Sequence, residues 1–541
     1  MPKNTVSGVT YTKAEDGYFE KRSLKRTAGF WGIWGIGIAA VISGDFSGWN
    51  VGLATTGWGG LLIATIIIVI MYFTMIFSIG EMSAAMPHTG GAYSFARAAL
   101  GQWGGFITGI SESIEYVVTT AVIVLFSAAY AGQIITDFTG VVVPAWMLWI
   151  ILYAIFIGLN SLGASVGFRF ALIVAIISMA VILLFAVLSI ANGAVDFSRL
   201  FDIKPTAGNS SFLPFGGVGI LFSLPFAIWF FLGIEELPLA AEEAKNPAKD
   251  IPKAGVWGII TLAFFGVLIL FLNPAVTGSK ALTVSPGDGD EPLLAGFRAF
   301  LPDSVAALLA LFALVGLLAS LQGIMFAYGR NMYSLSRAGY YPKFLSLTGR
   351  THQTPWVALL VGGVIGFVIL VVVALIIPAV NPGAAGAATG IILFIAVFGA
   401  VISYVMQMVS FIVLRRKFPQ AKRPYKSPTG VAGAVIAGAI AVASFIGIVA
   451  NSTFNLAVIT FVIIFVIGLT LFALFGRNRL VLSPEEEYAL SGGLHGDPQV
   501  EGYDAMEDEV FTKSRSSQHR RLRMSPPEPS ACQQIGLSAC H

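Results

Sequence analysis

Val41-Ile42-Ser43-Gly44-Asp45-Phe46-Ser47-Gly48 places an aspartate and two glycines in the middle of an apolar run that extends over residues 29–53. Such a run is long enough to cross a bilayer as a helix. Glycine, however, makes local unwinding cheap, and an aspartate at the bilayer centre costs about 2.5–3.5 kcal/mol on insertion scales. A second run, 215–239, carries a matching interruption, Phe230-Phe231-Leu232-Gly233-Ile234-Glu235-Glu236. Backbone freed at membrane depth is tolerated only where it lines a cavity. Paired interruptions at corresponding positions of two halves point to the binding site of an inverted-repeat transporter.

Outward from these segments the chain reads as twelve apolar spans: 29–53, 58–81, 103–134, 142–163, 168–192, 215–239, 255–277, 303–328, 356–378, 388–414, 430–450 and 454–476. Spans one to five and six to ten lay over each other as halves of opposite orientation. The expected fold class is therefore an all-α polytopic membrane protein with a 5+5 inverted repeat plus two extra helices. Residues 1–28 form a polar N-tail and 29–480 the transporter domain, with repeat one at about 29–192, repeat two at about 215–414 and the extra helices at 430–476. Residues 481–541 turn acidic and then basic, with Pro526 and Pro527 in a Ser-rich stretch, and read as a disordered tail.

Composition agrees with this division. Hydrophobic residues make up 56% of the chain and charged residues 11%, less than half the roughly 25% that coats a soluble domain. Of the 32 lysines and arginines, all but Arg199, Lys204, Lys280 and Arg298 fall on the side of the twelve spans that carries both termini. By the positive-inside rule that side is cytoplasmic. Residues 1–26 hold no short apolar segment with a cleavage site, so no signal peptide is expected. Cys532 and Cys540 are the two cysteines and both lie in the tail, so neither a disulfide framework nor a metal site is expected. The dipeptide Gly-Lys is absent, which leaves no phosphate loop. No nucleophile or metal constellation suggests an enzyme, and neither a cofactor nor a nucleic-acid partner is expected.

Asp45 is the most informative residue. No lysine or arginine lies in the interior of a span where it could pair with it, since Arg169 stands at a span end, so the expected positive charge is the substrate, a proton or a sodium ion. The alternative role is a cap for freed N–H groups. Around it, Ser43, Gly44 and Gly233 supply loosened backbone, and Trp229 and Phe230 offer aromatic faces suited to an ammonium. Glu235 is read as facing the cavity, with a structural tie to a neighbouring helix as its alternative. Glu112 and Glu115 lie three apart on one helix face and cannot easily both ionise when buried. They form a candidate proton or cation station, or else a protonated bridge between helices. Glu81, at a span end, is read as a snorkelling or capping residue.

Three further stretches carry a resemblance. His88-Thr89-Gly90-Gly91-Ala92-Tyr93-Ser94-Phe95-Ala96-Arg97 is similar to the first cytoplasmic loop of the amino acid–polyamine–organocation superfamily. Ala241-Glu242-Glu243-Ala244-Lys245-Asn246-Pro247-Ala248-Lys249-Asp250-Ile251-Pro252 resembles its loop after helix 6. Gly329-Arg330-Asn331-Met332-Tyr333 with Arg337-Ala338-Gly339-Tyr340-Tyr341-Pro342 resembles the loop after helix 8. Within that superfamily, Ile42 to Asn50 and Leu224 to Pro238 look like the ethanolamine permease branch. The resemblance implies a LeuT-type arrangement and a multi-pass permease of the cell membrane, working as a symporter or exchanger. The usual small-residue run that holds a substrate carboxylate is here broken by Asp45, which would repel a carboxylate and favours an amine without one. Ser178 stands where some relatives carry a lysine, which removes one proton-coupling device. The expected function is import of a small amine, ethanolamine first, with a proton or sodium ion as possible coupling partner and the lipid bilayer as surroundings. An amino acid or polyamine permease is the alternative, and an amine-binding membrane sensor a more distant one.

Overall fold

The computed structural model describes residues 4–6, 9–15, 17–283, 291–380, 388–493 and 510. Strands β1 (Asn4–Val6) and β2 (Val9–Thr12) precede the bundle. The first half comprises α1 (Phe30–Val41, continued by a tight turn Ile42–Asp45), α2 (Val51–Ala85), α3 (Gly91–Thr139), α4 (Ala145–Ser161) and α5 (Ala164–Ala191). The second comprises α6 (Val218–Trp229, continued by the turn Ile234–Glu243), α7 (Pro247–Thr277), the short α8 (Pro292–Arg298), α9 (Asp303–Arg337), α10 (Trp356–Val371) with α11 (Ile377–Val380), and α12 (Ala388–Lys417). Helices α13 (Gly430–Ala450) and α14 (Asn455–Leu474) follow, then β3 (Leu480–Val481) and α15 (Pro484–Ser491).

Among the described residues ten segments are long and apolar enough to cross a membrane, and Phe30–Asp45 and Ala145–Ser161 are shorter apolar helices that complete the expected twelve. Two span edges that hydropathy placed at residues 58 and 103 coincide with glycine kinks. Gly57 (φ 74) and Gly101 (φ 82) leave the helical region inside α2 and α3, a conformation open to a residue without Cβ. Gly101 thereby detaches a short arm, residues 91–100, from the spanning part of α3. At other ends the helices outrun the apolar stretch: α7 begins at Pro247 and α9 continues to Arg337. The last turns of α9 are buried although polar, whereas Lys249 and Lys253 of α7 are exposed, so hydropathy does not mark where either helix ends.

The packing repeats itself under exchange of the halves. α2 lies against α6 as α7 lies against α1, α3 against α12 as α9 against α5, and α3 against α4 as α9 against α10. This is the arrangement of an inverted repeat, with α1 and α6 at the centre.

The expectation for the tail needs correction. Residues 481–491, expected to be disordered, are ordered: β3 extends the N-terminal hairpin into a three-stranded sheet, order β1-β2-β3, and α15 is buried against the bundle. Its acidic side chains read as solvated in isolation, but they meet arginines far away in sequence. Residues 494–509 and 511–541, the rest of that tail, lie outside the described residues.

Close approach of α9 to α1 depends on Gly323, where a Cβ would sit 2.5 Å from the Ala40 Cα and 2.6 Å from its nitrogen. Backbone cannot step aside as a side chain does. Gly323→Ala is expected to destabilise the protein by about 1–3 kcal/mol, read as a lower thermal midpoint of the purified protein. Gly158→Ala, at a helical position with open space around it, should leave the midpoint unchanged or raise it.

Candidate functional site

The two broken helices meet backbone to backbone. A Cβ at Gly44 would lie 2.4 Å from the Trp229 carbonyl oxygen, so only glycine lets the segments touch. The contact is pinned by the Trp229 indole, whose Nε1–H donates to the Ser47 carbonyl at 2.9 Å. On the α9 side, the Ser43 N–H donates to Ser320 Oγ (2.8 Å), and that hydroxyl donates to the Ala39 carbonyl (2.7 Å). At the second break Gly233 takes φ 114, and both Glu235 oxygens accept from its N–H at 3.1 Å. Freed backbone groups are thus paired locally, as burial in an apolar medium demands.

Asp45 ends the turn after α1. It is 1% exposed, and among the described residues neither of its oxygens has a hydrogen-bond partner. Its Oδ1 faces α7 at Gly266, where a Cβ would sit 3.4 Å from that oxygen and 3.3 Å from the Phe230 ring. Phe230 in turn stacks on Trp49 at 5.7 Å. The aromatic ring bordering the carboxylate is therefore Phe230. Trp229, expected to cover the same charge, turns its indole to Ser47 and packs edge-on against Phe126. The cap reading of Asp45 finds no bond to support it.

Beyond the second break lies a group of four glutamates, Glu112 and Glu115 of α3 with Glu235 and Glu236, all 3% exposed or less. Glu112 accepts from Asn331 Nδ2 (3.1 Å) and, at 3.4 Å, from the hydroxyls of Tyr116 and Ser403. Glu235 accepts from the Tyr404 hydroxyl at 2.9 Å, and Tyr404 shares a 2.8 Å hydroxyl contact with Tyr72. Glu115 lies beside Glu235, and the oxygens of both Glu115 and Glu236 have no hydrogen-bond partner among the described residues. Arg330 acts on Glu236 through space while its Nη2 holds Glu243 at 2.8 Å. Sequence reasoning favours Glu235 as the inward-facing one of the two. The structure buries both, because α3, α9 and α12 surround the break.

The structure thus brings Ser43, Gly44, Trp229 and Phe230 together at the α1–α6 contact with Asp45, and Glu112, Glu115 and Glu235 together near Gly233. Ser178 joins neither group: its hydroxyl donates to the Val174 carbonyl of its own helix at 2.6 Å. Glu81 is an anchor rather than a ligand, bound by Arg415 at 2.6 and 2.9 Å and accepting from the Ser427 N–H at 2.7 Å. Three residues escaped the sequence reading. Tyr72 and Tyr404 had a readable signal, since a buried tyrosine hydroxyl needs a partner. Glu291, which accepts from Ser47 Oγ at 2.8 Å, had none, because it lies in a polar connection. Among the described residues no three His, Cys, Asp or Glu are placed to hold a metal ion.

The amino acid permease family model matches residues 32–481. The chain is 25% identical to the branched-chain amino acid permease BcaP of Bacillus subtilis (strain 168), across 86% of this chain and 96% of that one. It is also 25% identical to the methylthioribose transporter of the same organism, across 64% of this chain and 75% of the relative. Among solved structures, a manganese transporter of Eremococcus coleocola superposes with a TM-score of 0.54 at 14% identity, over 88% of this chain and 98% of its own. That likeness is one of fold.

The hydroxyl pair is testable as a unit. Tyr404→Phe removes the side-chain donor to Glu235 and is expected to cost about 1–3 kcal/mol, against about 0.5–1.5 kcal/mol for Tyr72→Phe. Because the two share one chain of bonds, the double variant should fall short of the sum by about 0.5 kcal/mol or more. Unfolding of the four purified proteins in one detergent measures this coupling.

Proposed function

The chain belongs to the amino acid permease family, and from that premise we propose that it is a secondary transporter of a small organic amine, ethanolamine first, working by alternating access in the plasma membrane. Its family and fold are those of membrane transporters, not of enzymes. One observation carries the choice of cargo: Asp45 is buried beside broken backbone and an aromatic face, with neither oxygen engaged. An ammonium group supplies the charge and the donors that this carboxylate lacks, and Phe230 adds cation–π attraction. Gly266 keeps space open opposite Oδ1.

The glutamate group is the natural place for the coupling ion. Four carboxyls that share a buried space call for a proton in at least one state of the cycle. On this reading Asp45 meets the cargo and Glu112, Glu115 and Glu235 carry the coupling. Both termini are placed in the cytoplasm, on the strength of the lysine and arginine distribution.

A second reading, an amino acid permease, is favoured by the match to BcaP over most of both chains. The methylthioribose transporter among the relatives speaks for a wider range of cargo in such sequences. Reconstituted protein decides between them. Labelled ethanolamine should accumulate in proteoliposomes, and unlabelled ethanolamine should compete better than alanine or putrescine. Asp45→Asn should lower uptake by about ten- to hundredfold, the worth of one charge-assisted bond. Undiminished uptake by that variant would remove Asp45 from the mechanism, and uptake of alanine alone would make the protein an amino acid carrier.

A further inference from the structure

Apart from Asn331, the three loops that carry the family resemblance are not used by the site, yet they are tied to a single object, the helix α15, directly or through Arg337. Arg97, from the arm of α3, grips Glu486 through Nε at 2.8 Å and Nη2 at 2.7 Å. The same carboxylate accepts from the Tyr340 hydroxyl at 2.8 Å and from Tyr11 of β2. Arg337, at the end of α9, divides its guanidinium between Glu242 and Glu485, each at 2.6 Å. Tyr488 lies edge-on to His88 with ring centroids 5.6 Å apart. Glu485, Glu486 and Glu487 are each 2% exposed or less. Three consecutive buried carboxylates are costly unless their partners are fixed in place, so the socket is built for this segment.

The socket belongs to both halves of the bundle. Arg97 sits in the first repeat, whereas Glu242, Arg337 and Tyr340 sit in the second. Beneath it the same face is closed by further ties: the N–H groups of Thr27 and Ala28 donate to the Glu243 carbonyl at 2.8 and 3.0 Å, and Arg330 holds Glu243. The chain ends are woven in as well, since Tyr11 pairs with Leu480 and Thr12 with Val481 in the β2–β3 ladder. Alternating access moves one repeat against the other around a central site. A helix ion-paired to both repeats on one face cannot stay seated while that face opens.

We propose that residues 480–491 are a latch: docked, they hold the terminus-bearing face shut, and they must leave the Arg97–Arg337 socket for that face to open during transport. Glu485 and Glu486 act here as positioning residues, through the helices they bind and not through contact with the cargo.

Two experiments on the full chain, with Cys532→Ser and Cys540→Ser as background, test the latch. In the first, Ser94→Cys, next to the Gly90–Glu485 contact, reports access of a water-soluble maleimide to purified protein. Adding Glu485→Gln and Glu486→Gln should raise its labelling rate about tenfold or more, while Ser444→Cys, buried in α13, stays unreactive. An unchanged rate at Ser94→Cys, or an equal rise at both positions, overturns the latch. In the second, His88→Cys with Tyr488→Cys is oxidised to a crosslink. Uptake of ethanolamine or alanine, whichever the reconstituted protein accumulates, should stop and return with dithiothreitol. Uptake that continues through the crosslink also overturns it. If neither compound is taken up by the parent protein, the proposed cargo fails, while the thiol experiment still decides the latch.

Discussion

Everything in this molecule follows from one constraint: a backbone polar group that leaves a helix inside an apolar bundle must find a partner there. The chain breaks two helices at mid-membrane, at Ile42–Asp45 and around Gly233, and each break is answered by its immediate surroundings. The indole of Trp229 takes the Ser47 carbonyl, Ser320 takes the Ser43 N–H, and Glu235 takes the N–H of Gly233. These bonds come from α6, from α9 and from the broken segment itself, so the breaks hold only when both repeats are assembled. Site formation and assembly of the bundle are the same event. The glycine at position 44 matters for the same reason, since any side chain there would part the two breaks.

The charged groups divide into two populations by whether their partner is built in. At the terminus-bearing face Arg97, Arg330, Arg337 and Arg415 each meet glutamates at 2.6–2.9 Å. Bidentate pairs of this kind offset the loss of hydration. At mid-membrane the acidic residues lack such partners: Asp45, Glu115 and Glu236 have unengaged oxygens among the described residues. The same burial that makes the first population a scaffold makes the second costly to keep charged.

Much of this was legible in the sequence, for reasons that are local. A span announces itself by its length of apolar residues, and a break by glycine beside acid, because membrane depth penalises both. Even the kinks at Gly57 and Gly101 showed through, since polar residues and glycine interrupt the run there. What the sequence concealed was pairing over distance. Glu486 is separated from Arg97 by 389 positions, and the acidic stretch around it has the composition of a solvated tail. Tyr404 stands 169 positions from Glu235. That the ring of Phe230 borders Gly266 beside the Asp45 carboxylate was also not legible, because successive residues at a break point in different directions. The indole of Trp229 was needed to hold the carbonyl of Ser47.

An unpartnered carboxylate in such a place is costly to bury in its charged form. Breaking one member of a buried pair costs about 3–5 kcal/mol, and Asp45 resembles a pair whose other member is missing. Glu235 shows how little is needed to relieve it: one tyrosine hydroxyl and one backbone N–H on the same carboxyl. Nothing comparable has been placed around Asp45, where the wall opposite Oδ1 is the bare backbone of Gly266 and the ring of Phe230. Neither a bare backbone nor an aromatic ring relieves a carboxylate by itself. A local cost that persists where the surroundings hold it in place is a reason to assign function, and either a proton or a small cation would remove this one.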